Sequence, residues 1–544
     1  MYKHIYMITA KKIFIYLLPA VFLVSCTKDF QKLNATQDKP SSTTVKPLVN
    51  GVISSLLLDW TEQASIHNDY YYPVTQLGAI STVSGYILSS AISSVWSSYY
   101  GNLQNMNLAL DMINSVKDKE SMNNIQAVLY ILRAYKTFRI TDQFGDIPYF
   151  KAGKAYSGSV SNFRVAYDPQ QAIYDSLLSD LKWAADHIKT DQAPVSASGT
   201  PYAALGSFDT FFKGDMSKWL KFANSLRLRY AMQMVEKDPA TATPILQAVL
   251  ASGTPLIGEG EDVGMWPADL GGLDLPGKWW SFSSGGAGFT RMSSTFWQMV
   301  SDGNADANIF DPRAKIFVDP NAAGNWAPYT IGSNASDNVD AYASPTDPSA
   351  KAGALFSRFN WYLVRDEWYI PELIFTAAEV DFLKAEAYAR GLGVTQDLTM
   401  AETQYKAGIT SSVNFWYYIV SKADNVAHLK WSAAAPAPPD ATAMGNLFAN
   451  PKVKFTGTAQ DALTKIYAQE WLSFYREPWL AFNLWRRTGG MTPKDPASNP
   501  STAYTKFYRL PYAQDEAVNN TDNFNAQVSK MGTNNSDVKV WWMK

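Results

Sequence analysis

Cysteine and histidine are nearly absent from this sequence. Of its 544 residues, Cys26 is the only cysteine and only four are histidines. A disulfide framework and a cysteine-ligated metal cluster are therefore excluded. The three histidines beyond Cys26 are far apart, at positions 67, 187 and 428, and no HExxH motif occurs. The pattern therefore predicts neither a metal site nor a zinc enzyme.

Basic residues show no excess either. The chain carries 47 Lys and Arg against 49 Asp and Glu. Loss of residues 1–25, which contain three lysines, would leave 44 against 49, a formal charge near −5. Nucleic-acid binding calls for a strongly basic surface patch, so a nucleic-acid partner is not expected.

The longest N-terminal apolar run, residues 13–24, is too short to cross a membrane comfortably. Twelve helical residues rise about 18 Å, at roughly 1.5 Å each, against a hydrocarbon core of about 30 Å. Lys3, Lys11 and Lys12 precede the run and no acidic residue does. This layout predicts an export signal peptide over residues 1–25.

The end of this run, Leu23-Val24-Ser25-Cys26, resembles the lipobox of bacterial lipoproteins, whose cysteine is lipidated and begins the mature chain. A buried thiol or an intermolecular disulfide is the alternative for a lone cysteine. We assign Cys26 as the lipidation site, which would hold the protein on a membrane. The residues that follow, Thr27-Lys28-Asp29, resemble a short signal for export to the outer face of the outer membrane.

Common catalytic motifs are also missing. The sequence contains no GxSxG elbow, no P-loop and no GxGxxG. Two carboxylates could still make a glycosidase, and Asp142 with Asp146, or the acids at 259, 261 and 262, are open candidates. The stretch that begins at Asp302 fails as an EF-hand, because Ala307 and Arg313 replace the required Gly and Glu. We predict no catalytic residue and no cofactor, and leave a structural calcium ion open.

What the sequence does contain is a polar segment followed by helical patterns. Residues 26–46 form the lipidated cysteine and a flexible tether rich in Ser, Thr and Pro, and residues 47–544 form a single body. Apolar residues recur at helical spacing in most of the body. Helices are predicted around 125–138 and at 99–116, 169–187, 216–236, 371–390, 401–416 and 459–484.

One helix pair carries a repeat-like pattern. Residues 382–390 and 401–407 are rich in Ala and Tyr and resemble a tetratricopeptide hairpin, although any alanine-rich helical hairpin would look similar. The predicted fold class is mainly α, with tetratricopeptide-like hairpins as a scaffold and long irregular loops that form the ligand face.

A loop-rich region at about 253–360 interrupts the helical pattern. It is long for a connection and rich in Gly, Pro and Asn, but its Trp and Tyr content argues against disorder. Aromatic faces pack against sugar rings, and loops carry binding residues more often than helices do. The candidate ligand-binding residues are Trp279, Trp280, Trp266, Trp326 and Tyr329, with Tyr71 and Tyr72 near the start of the body.

Each of these rings could instead fill the core of a loop-rich protein. Tryptophans at helical spacings are assigned to packing rather than to a ligand site; these are Trp96, Trp183, Trp219, Trp471 and Trp485.

Several segments together resemble the SusD/RagB family of nutrient-binding outer-membrane lipoproteins, especially its SusD-like branch. The resemblance covers essentially the whole chain after Cys26 and rests on residues 133–149, 167–174, 214–229, 377–387, 469–471, 486–489 and 540–542. It implies a helical scaffold, a place at the cell surface on the outer membrane, and delivery of captured ligand to a SusC-like TonB-dependent transporter.

We therefore hypothesise a cell-surface lipoprotein, not an enzyme, that captures a glycan or oligosaccharide. The alternatives, in decreasing order, are a peptide-binding member of the same family, a surface glycoside hydrolase, and a structural scaffold without a small ligand. The resemblance transfers no ligand-contacting position, so the aromatic candidates rest on the residues alone.

Overall fold

The computed structural model describes residues 45–80, 88–266, 290–333, 335, 353–364, 370–422 and 435–544. By its contacts the chain divides into two units, Met1–Pro47 and Leu48–Lys544. Of the first unit only residues 45–47 are described. The predicted lipidation site Cys26, the predicted signal peptide and nearly all of the predicted tether therefore lie outside the described residues.

Helices make up most of the described chain, as predicted. The longer ones are α1 (Val45–Ser54), α2 (Leu88–Asn114), α3 (Asn123–Phe144), α4 (Gln170–His187), α5 (Met216–Met234), α6 (Pro239–Val249), α7 (Ser294–Val300), α8 (Ala377–Arg390), α9 (Leu398–Lys422), α10 (Ala441–Ala449), α11 (Ala459–Ser473), α12 (Pro478–Arg487), α13 (Gln514–Asn519) and α14 (Thr521–Met531). Many consecutive helices contact each other, most extensively α3 with α4 and α8 with α9.

The α8–α9 pair is the hairpin predicted from the alanine-rich pattern, and the tetratricopeptide-like architecture is confirmed. The Thr376 hydroxyl caps the start of α8 by accepting from the Glu379 N–H at 3.2 Å, and Gly391 ends it in a left-handed conformation. A β-carbon at Gly408 of α9 would lie only 2.8 Å from the Phe382 ring. The glycine is what lets the two helices approach this closely.

Several helix predictions differ from the structure in their bounds. The helix predicted over 99–116 begins at Leu88, and the helix predicted over 401–416 runs to Lys422. The helix predicted from 371 begins at Ala377, because residues 372–375 form a strand paired with residues 263–265. The helix predicted over 459–484 is two helices, since Glu477 precedes Pro478 and has φ −119° and ψ 62°. The ring of a proline disfavours the helical conformation in the residue before it.

The strands are short and come from distant parts of the chain. They are β1 (Ala79–Ile80), β2 (Val263–Met265), β3 (Thr290–Arg291), β4 (Val318–Asp319), β5 (Arg358–Phe359) and β6 (Glu372–Phe375). Antiparallel pairing gives one sheet in the order β1-β3-β5-β4 and a second formed by β2 and β6. No helix within the described ranges is long and apolar enough to cross a membrane.

Buried ion pairs hold the helices of the scaffold together. Arg487 of α12 donates to Glu386 of α8 at 2.6 Å and to Glu470 of α11 at 3.1 Å. Arg229 of α5 donates to Glu379 of α8 at 2.5 Å. All five side chains are almost fully buried. The Arg487–Glu386 and Arg229–Glu379 pairs join α8 to helices that are not its neighbours in sequence, so these contacts fix how the helices stack.

Two carboxyl groups in this scaffold should make stability depend on pH. Burial, with the charges of Glu386 and Glu379, raises the pKa of Glu470 from its ordinary 4.5 to about 8 despite Arg487. Burial and the charge of Glu372 raise the pKa of Glu477 likewise, to about 8. The folded chain thus keeps two protons that the unfolded chain releases. Their stabilisation is complete below about pH 4.5 and is lost as the pH rises through about 8.

We therefore expect the melting temperature of the wild-type chain to decrease as the pH is raised from 5 to about 9. In Glu470→Gln this decrease should be smaller, because one of the two retained protons is gone. The measurement is thermal unfolding followed by circular dichroism across this range. Glu402→Gln, at a half-exposed side chain paired with Lys406 on α9, is the control and should leave the slope unchanged. An identical slope in Glu470→Gln and wild type would contradict the assigned proton.

Candidate ligand-binding site

The four-stranded sheet is where the irregular segments of the chain meet. Ala79 pairs with Arg291, Arg291 with Arg358, and Val318 with Phe359. The Tyr329 N–H adds a bond of 2.8 Å to the Met292 carbonyl. The sheet thus joins residues near 79, 291, 318, 329 and 358. It therefore connects described parts of the loop-rich region to one another and to the start of the body.

Two of the predicted aromatic residues are buried beside this sheet. Trp326 is 8% exposed, stacks on Trp297 at 5.0 Å, and donates from Nε1 to Asp306 at 2.6 Å. Tyr329 is 4% exposed and donates its hydroxyl to the Ala335 carbonyl at 3.0 Å. Both side chains are buried and bonded within the protein, so neither ring is open to a ligand.

Tyr71 and Tyr72 are buried as well, each 1% exposed. Tyr71 stacks on Phe482 with ring centroids 4.6 Å apart, and Tyr72 donates its hydroxyl to the Tyr475 carbonyl at 2.8 Å. Residues 63–71 form a π-helical turn whose side chains are almost all buried. The preceding residue, Tyr70, is the one of the three tyrosines that is only half-buried.

Of the three remaining tryptophan candidates, the structure describes only Trp266. Trp279 and Trp280 lie outside the described residues. Trp266, at the end of β2, is partly exposed and lies edge-on to the Tyr418 ring of α9, with centroids 6.0 Å apart. Tyr418 is 48% exposed, and the Lys422 ammonium lies 4.5 Å from its ring centroid. Trp266 is therefore the described candidate that lies at the surface, beside a second exposed ring.

A cavity of about 390 Å³ lies beside the sheet, between the turn at residues 74–76 and the segment that follows α12. This volume is within the usual range of small-molecule sites. Its lining residues are Val74, Thr75, Gln76, Trp485, Thr492, Pro493, Lys494, Asp495, Pro496, Ser498, Pro500, Tyr504 and Thr505. The cavity therefore combines two aromatic side chains with charged and hydroxyl groups.

Its aromatic walls are held from behind by other rings. Trp485, the only partly exposed tryptophan on α12, lies nearly parallel to Phe482 and Tyr508, with centroids 5.9 and 6.0 Å away. Tyr504 meets Tyr70 edge-on at 6.2 Å. Rings fixed in this way offer a rigid apolar surface, which lowers the entropy lost on binding a ligand.

The polar wall is fixed by hydrogen bonds to the sheet region. Gln76, with φ 58°, accepts at its side-chain oxygen from Thr295 at 2.5 Å and from the Asp495 N–H at 3.1 Å. The Asp495 carboxylate accepts from the Ser294 hydroxyl and from the Ala497 N–H. Although burial opposes it, these bonds lower the pKa of Asp495, which stays an anionic acceptor.

Two donors of the lining residues Lys494 and Trp485 converge at Gly490. A β-carbon at Gly490, whose φ is +84°, would lie 3.3 Å from the Lys494 ammonium and 3.5 Å from Trp485 Nε1. The glycine therefore leaves room for the ammonium beside the indole N–H. Together with Asp495 they supply both donors and acceptors next to an aromatic face, which is what a polyhydroxylated ring requires.

A larger cavity of about 460 Å³ lies against α2 and α3 but has a different lining. Its Arg139 already donates to Glu62 at 2.7 Å, and its Lys136 to the Ser55 carbonyl at 2.7 Å. Its aromatic residues, Tyr99 and Tyr135, are less than 5% exposed. Because it offers no aromatic face for stacking, we assign the ligand to the smaller cavity.

The acids considered for glycosidase chemistry form hydrogen bonds or ion pairs with other residues of the protein. Asp142 is buried and accepts from Tyr174, Trp542 Nε1 and Asn483, while Asp146 accepts from the Gln170 N–H at 2.8 Å. Burial raises the pKa of Asp262 to about 6, and its carboxylate accepts from the Ala377 N–H. Glu261 pairs with Lys221 and Glu259 accepts from Asn414. No group of three or more potential metal ligands occurs in the described chain.

Sequence reasoning missed the residues of this cavity. It assigned Trp485 to packing because of its helical spacing and did not consider Lys494, Asp495 or Tyr504. The available signal was the stretch TGGMTPKDPASNP at 488–500, where two glycines and three prolines directly follow a helix that contains a tryptophan.

Comparison with known proteins supports a common fold. The family model SusD-like_2, described as starch-binding and associating with the outer membrane, matches residues 35–512. A curated relative, SusD-like protein P2 of Formosa agariphila, is 24% identical over 118 residues. This match covers 21% of the chain and only 23% of that relative's length.

Solved structures match over far more of the chain. A chitin-binding protein aligns with a TM-score of 0.68 and 24% identity, covering 92% of this chain and 100% of its own. A chitin-binding SusD homologue from Flavobacterium johnsoniae gives 0.64 and 22%, covering 92% and 98%. A SusD-like protein from Bacteroides thetaiotaomicron gives 0.64 and 20%, covering 92% and 98%. At these identities the likeness shows the fold.

Proposed function

The chain belongs to the SusD-like family of starch-binding proteins that associate with the outer membrane, and from this premise we propose that it captures a glycan at the cell surface without cleaving it. The observation that carries the proposal is the rigid cavity beside the sheet. Trp485 and Tyr504 provide aromatic walls, and Lys494 and Asp495 provide the hydrogen-bonding groups.

Capture would proceed by stacking and hydrogen bonding. One face of a pyranose ring packs on the Trp485 indole, while its hydroxyls bond to the Lys494 ammonium and the Asp495 carboxylate. A cavity of this size holds only a short part of an oligosaccharide, and bridging waters would complete the contacts. Modest affinity follows, and modest affinity suits a protein that must release its ligand again.

We further propose that Cys26 carries the lipid anchor and that the captured glycan passes to a SusC-like TonB-dependent transporter. The anchor is supported by the lipobox-like sequence and by the family's association with the outer membrane. The transfer to a transporter follows from the family resemblance alone. Trp266, with the exposed Tyr418 beside it, and Trp279 and Trp280 are proposed as contacts for a longer glycan. Trp326, Tyr329, Tyr71 and Tyr72 are not retained, because their rings are buried.

The first test is retention of the unlipidated chain, Cys26→Ala without residues 1–25, on glycans. Chitin and starch come first, because relatives are described as binding them, and released reducing sugar is assayed in parallel. We expect retention, competed by soluble oligosaccharide, without release of sugar. Release that a single Asp or Glu change abolishes would replace the proposal by a hydrolase. Absence of retention on every glycan would overturn it.

A further inference from the structure

The connection between α3 and α4 exposes three aromatic side chains. In residues 149–166, here termed the aromatic-basic loop, Phe150 is 43% exposed, Tyr156 37% and Phe163 63%. Phe163 is the most exposed aromatic side chain of the described residues. Large exposed rings cost free energy in water, and several in one loop indicate an interaction surface.

All the charged residues of this loop are basic. Lys151, Lys154 and Arg164 lie in it, and no acidic residue occurs between Asp146 and Asp168. The loop therefore carries a formal charge of +3 in a chain whose net charge is −2. Two acids outside the loop contact it: Asp111 of α2 accepts the Tyr156 hydroxyl at 2.5 Å, and Asp168 accepts from backbone N–H groups.

The loop is held in shape by hydrogen bonds from both sides. The Asp168 carboxylate accepts from the N–H groups of Tyr149 and Phe150, both at 2.9 Å. Asn162 donates to the Lys154 carbonyl at 3.3 Å, which folds the loop on itself. Gly153, with φ +68°, lets it pack closely on α2, since a β-carbon there would lie 3.0 Å from Leu103. The exposure of the rings is therefore a fixed feature.

We propose that the aromatic-basic loop docks on an anionic lipid surface. Aromatic rings with flanking Lys and Arg are the side chains that settle at the boundary between headgroups and acyl chains. The positive charge complements anionic headgroups, and each Lys or Arg near such a surface contributes about 1 kcal/mol, or roughly fivefold in affinity. Such a contact would orient the body on the membrane independently of any lipid on Cys26.

This docking is independent of the glycan cavity, so the two proposals can fail separately. The test uses the unlipidated chain and sedimentation with vesicles of phosphatidylcholine alone or mixed with phosphatidylglycerol. We expect binding to the mixed vesicles at low salt and weak binding to phosphatidylcholine. Neutralising Lys151 and Arg164 to Gln should weaken binding roughly fivefold per residue, and added salt should do the same.

The decisive variant is Phe150→Ser with Phe163→Ser, since both rings are exposed. Leu355→Ser is the matched control, because Leu355 is 61% exposed but lies outside the loop. We expect the double variant to lose binding to mixed vesicles while its thermal midpoint and glycan retention stay unchanged. The proposal is overturned if wild type does not distinguish the two vesicles, or if the double variant binds like the control.

Discussion

Trp485→Ala is expected to weaken glycan binding by roughly 30-fold, equivalent to about 2 kcal/mol, the size of an interface hot spot. The indole is the largest aromatic surface of the cavity and is backed by Phe482 and Tyr508. Its removal takes away the stacking face and the Nε1 donor near Lys494. Isothermal titration with the glycan that the chain retains best would measure the loss.

The control must separate binding from folding, because Trp485 also packs on its neighbours. Trp183→Ala removes another partly buried tryptophan, which stacks on His187 at 4.2 Å on α4 and lines neither cavity described above. We expect it to bind glycan like wild type at comparable thermal stability. Trp485→Phe should fall between wild type and Trp485→Ala, because it keeps a smaller ring and loses the donor. Full affinity in a folded Trp485→Ala chain would show that the glycan binds elsewhere.

Much of the scaffold could be predicted because the apolar spacing of a helix is visible within a short stretch of sequence. The apolar face from Ile125 to Phe138 marks α3, and the alanine and tyrosine spacing marks the α8–α9 hairpin. Two of the errors came from a non-local strand pairing and from a proline. Residues 372–375 pair with β2, more than 100 residues earlier, and no local pattern announces that pairing. The break at Pro478 was readable and was overlooked.

The site was harder to predict because exposure is a property of the tertiary structure. Trp326 and Tyr329 lie in a glycine-rich stretch, yet both become buried when distant strands assemble around them. For Trp485 the error was the opposite one. Its helical spacing indicated packing, but α12 is followed by the proline-rich segment that encloses the cavity, and the indole lines that cavity and stays partly exposed. Composition identifies aromatic residues but not which face of each is free.

Arg487→Met is expected to destabilise the fold by about 3–5 kcal/mol, the largest stability effect among these predictions. Arg487 is 8% exposed and is bonded to Glu386 and Glu470, so its loss removes a cation from the buried Glu386 carboxylate and leaves Glu470 without its charged donor. Domains are commonly stable by only about 5–15 kcal/mol in total. A loss of this size would be visible in urea unfolding as a large shift of the midpoint.

An exposed ion pair of equal length provides the control. Lys182 and Asp186 of α4 are also 2.6 Å apart, but their side chains are 63% and 50% exposed. Lys182→Met should cost at most about 1 kcal/mol, because water solvates the carboxylate that is left behind. The two variants remove a cation at the same ion-pair distance, so any difference between them measures burial rather than contact geometry.

A double replacement distinguishes lost attraction from stranded charge. If Arg487→Met is costly because Glu386 remains charged in the core, then adding Glu386→Met should recover part of the stability, although Glu386 also binds Arg390 and Tyr467. If the double variant instead loses, relative to wild type, the sum of the two single losses, then Arg487 and Glu386 are not coupled and the cost of Arg487→Met comes from its other contacts. Equal midpoints for Arg487→Met and Lys182→Met would contradict both accounts and remove Arg487 from its place as a link between the helices.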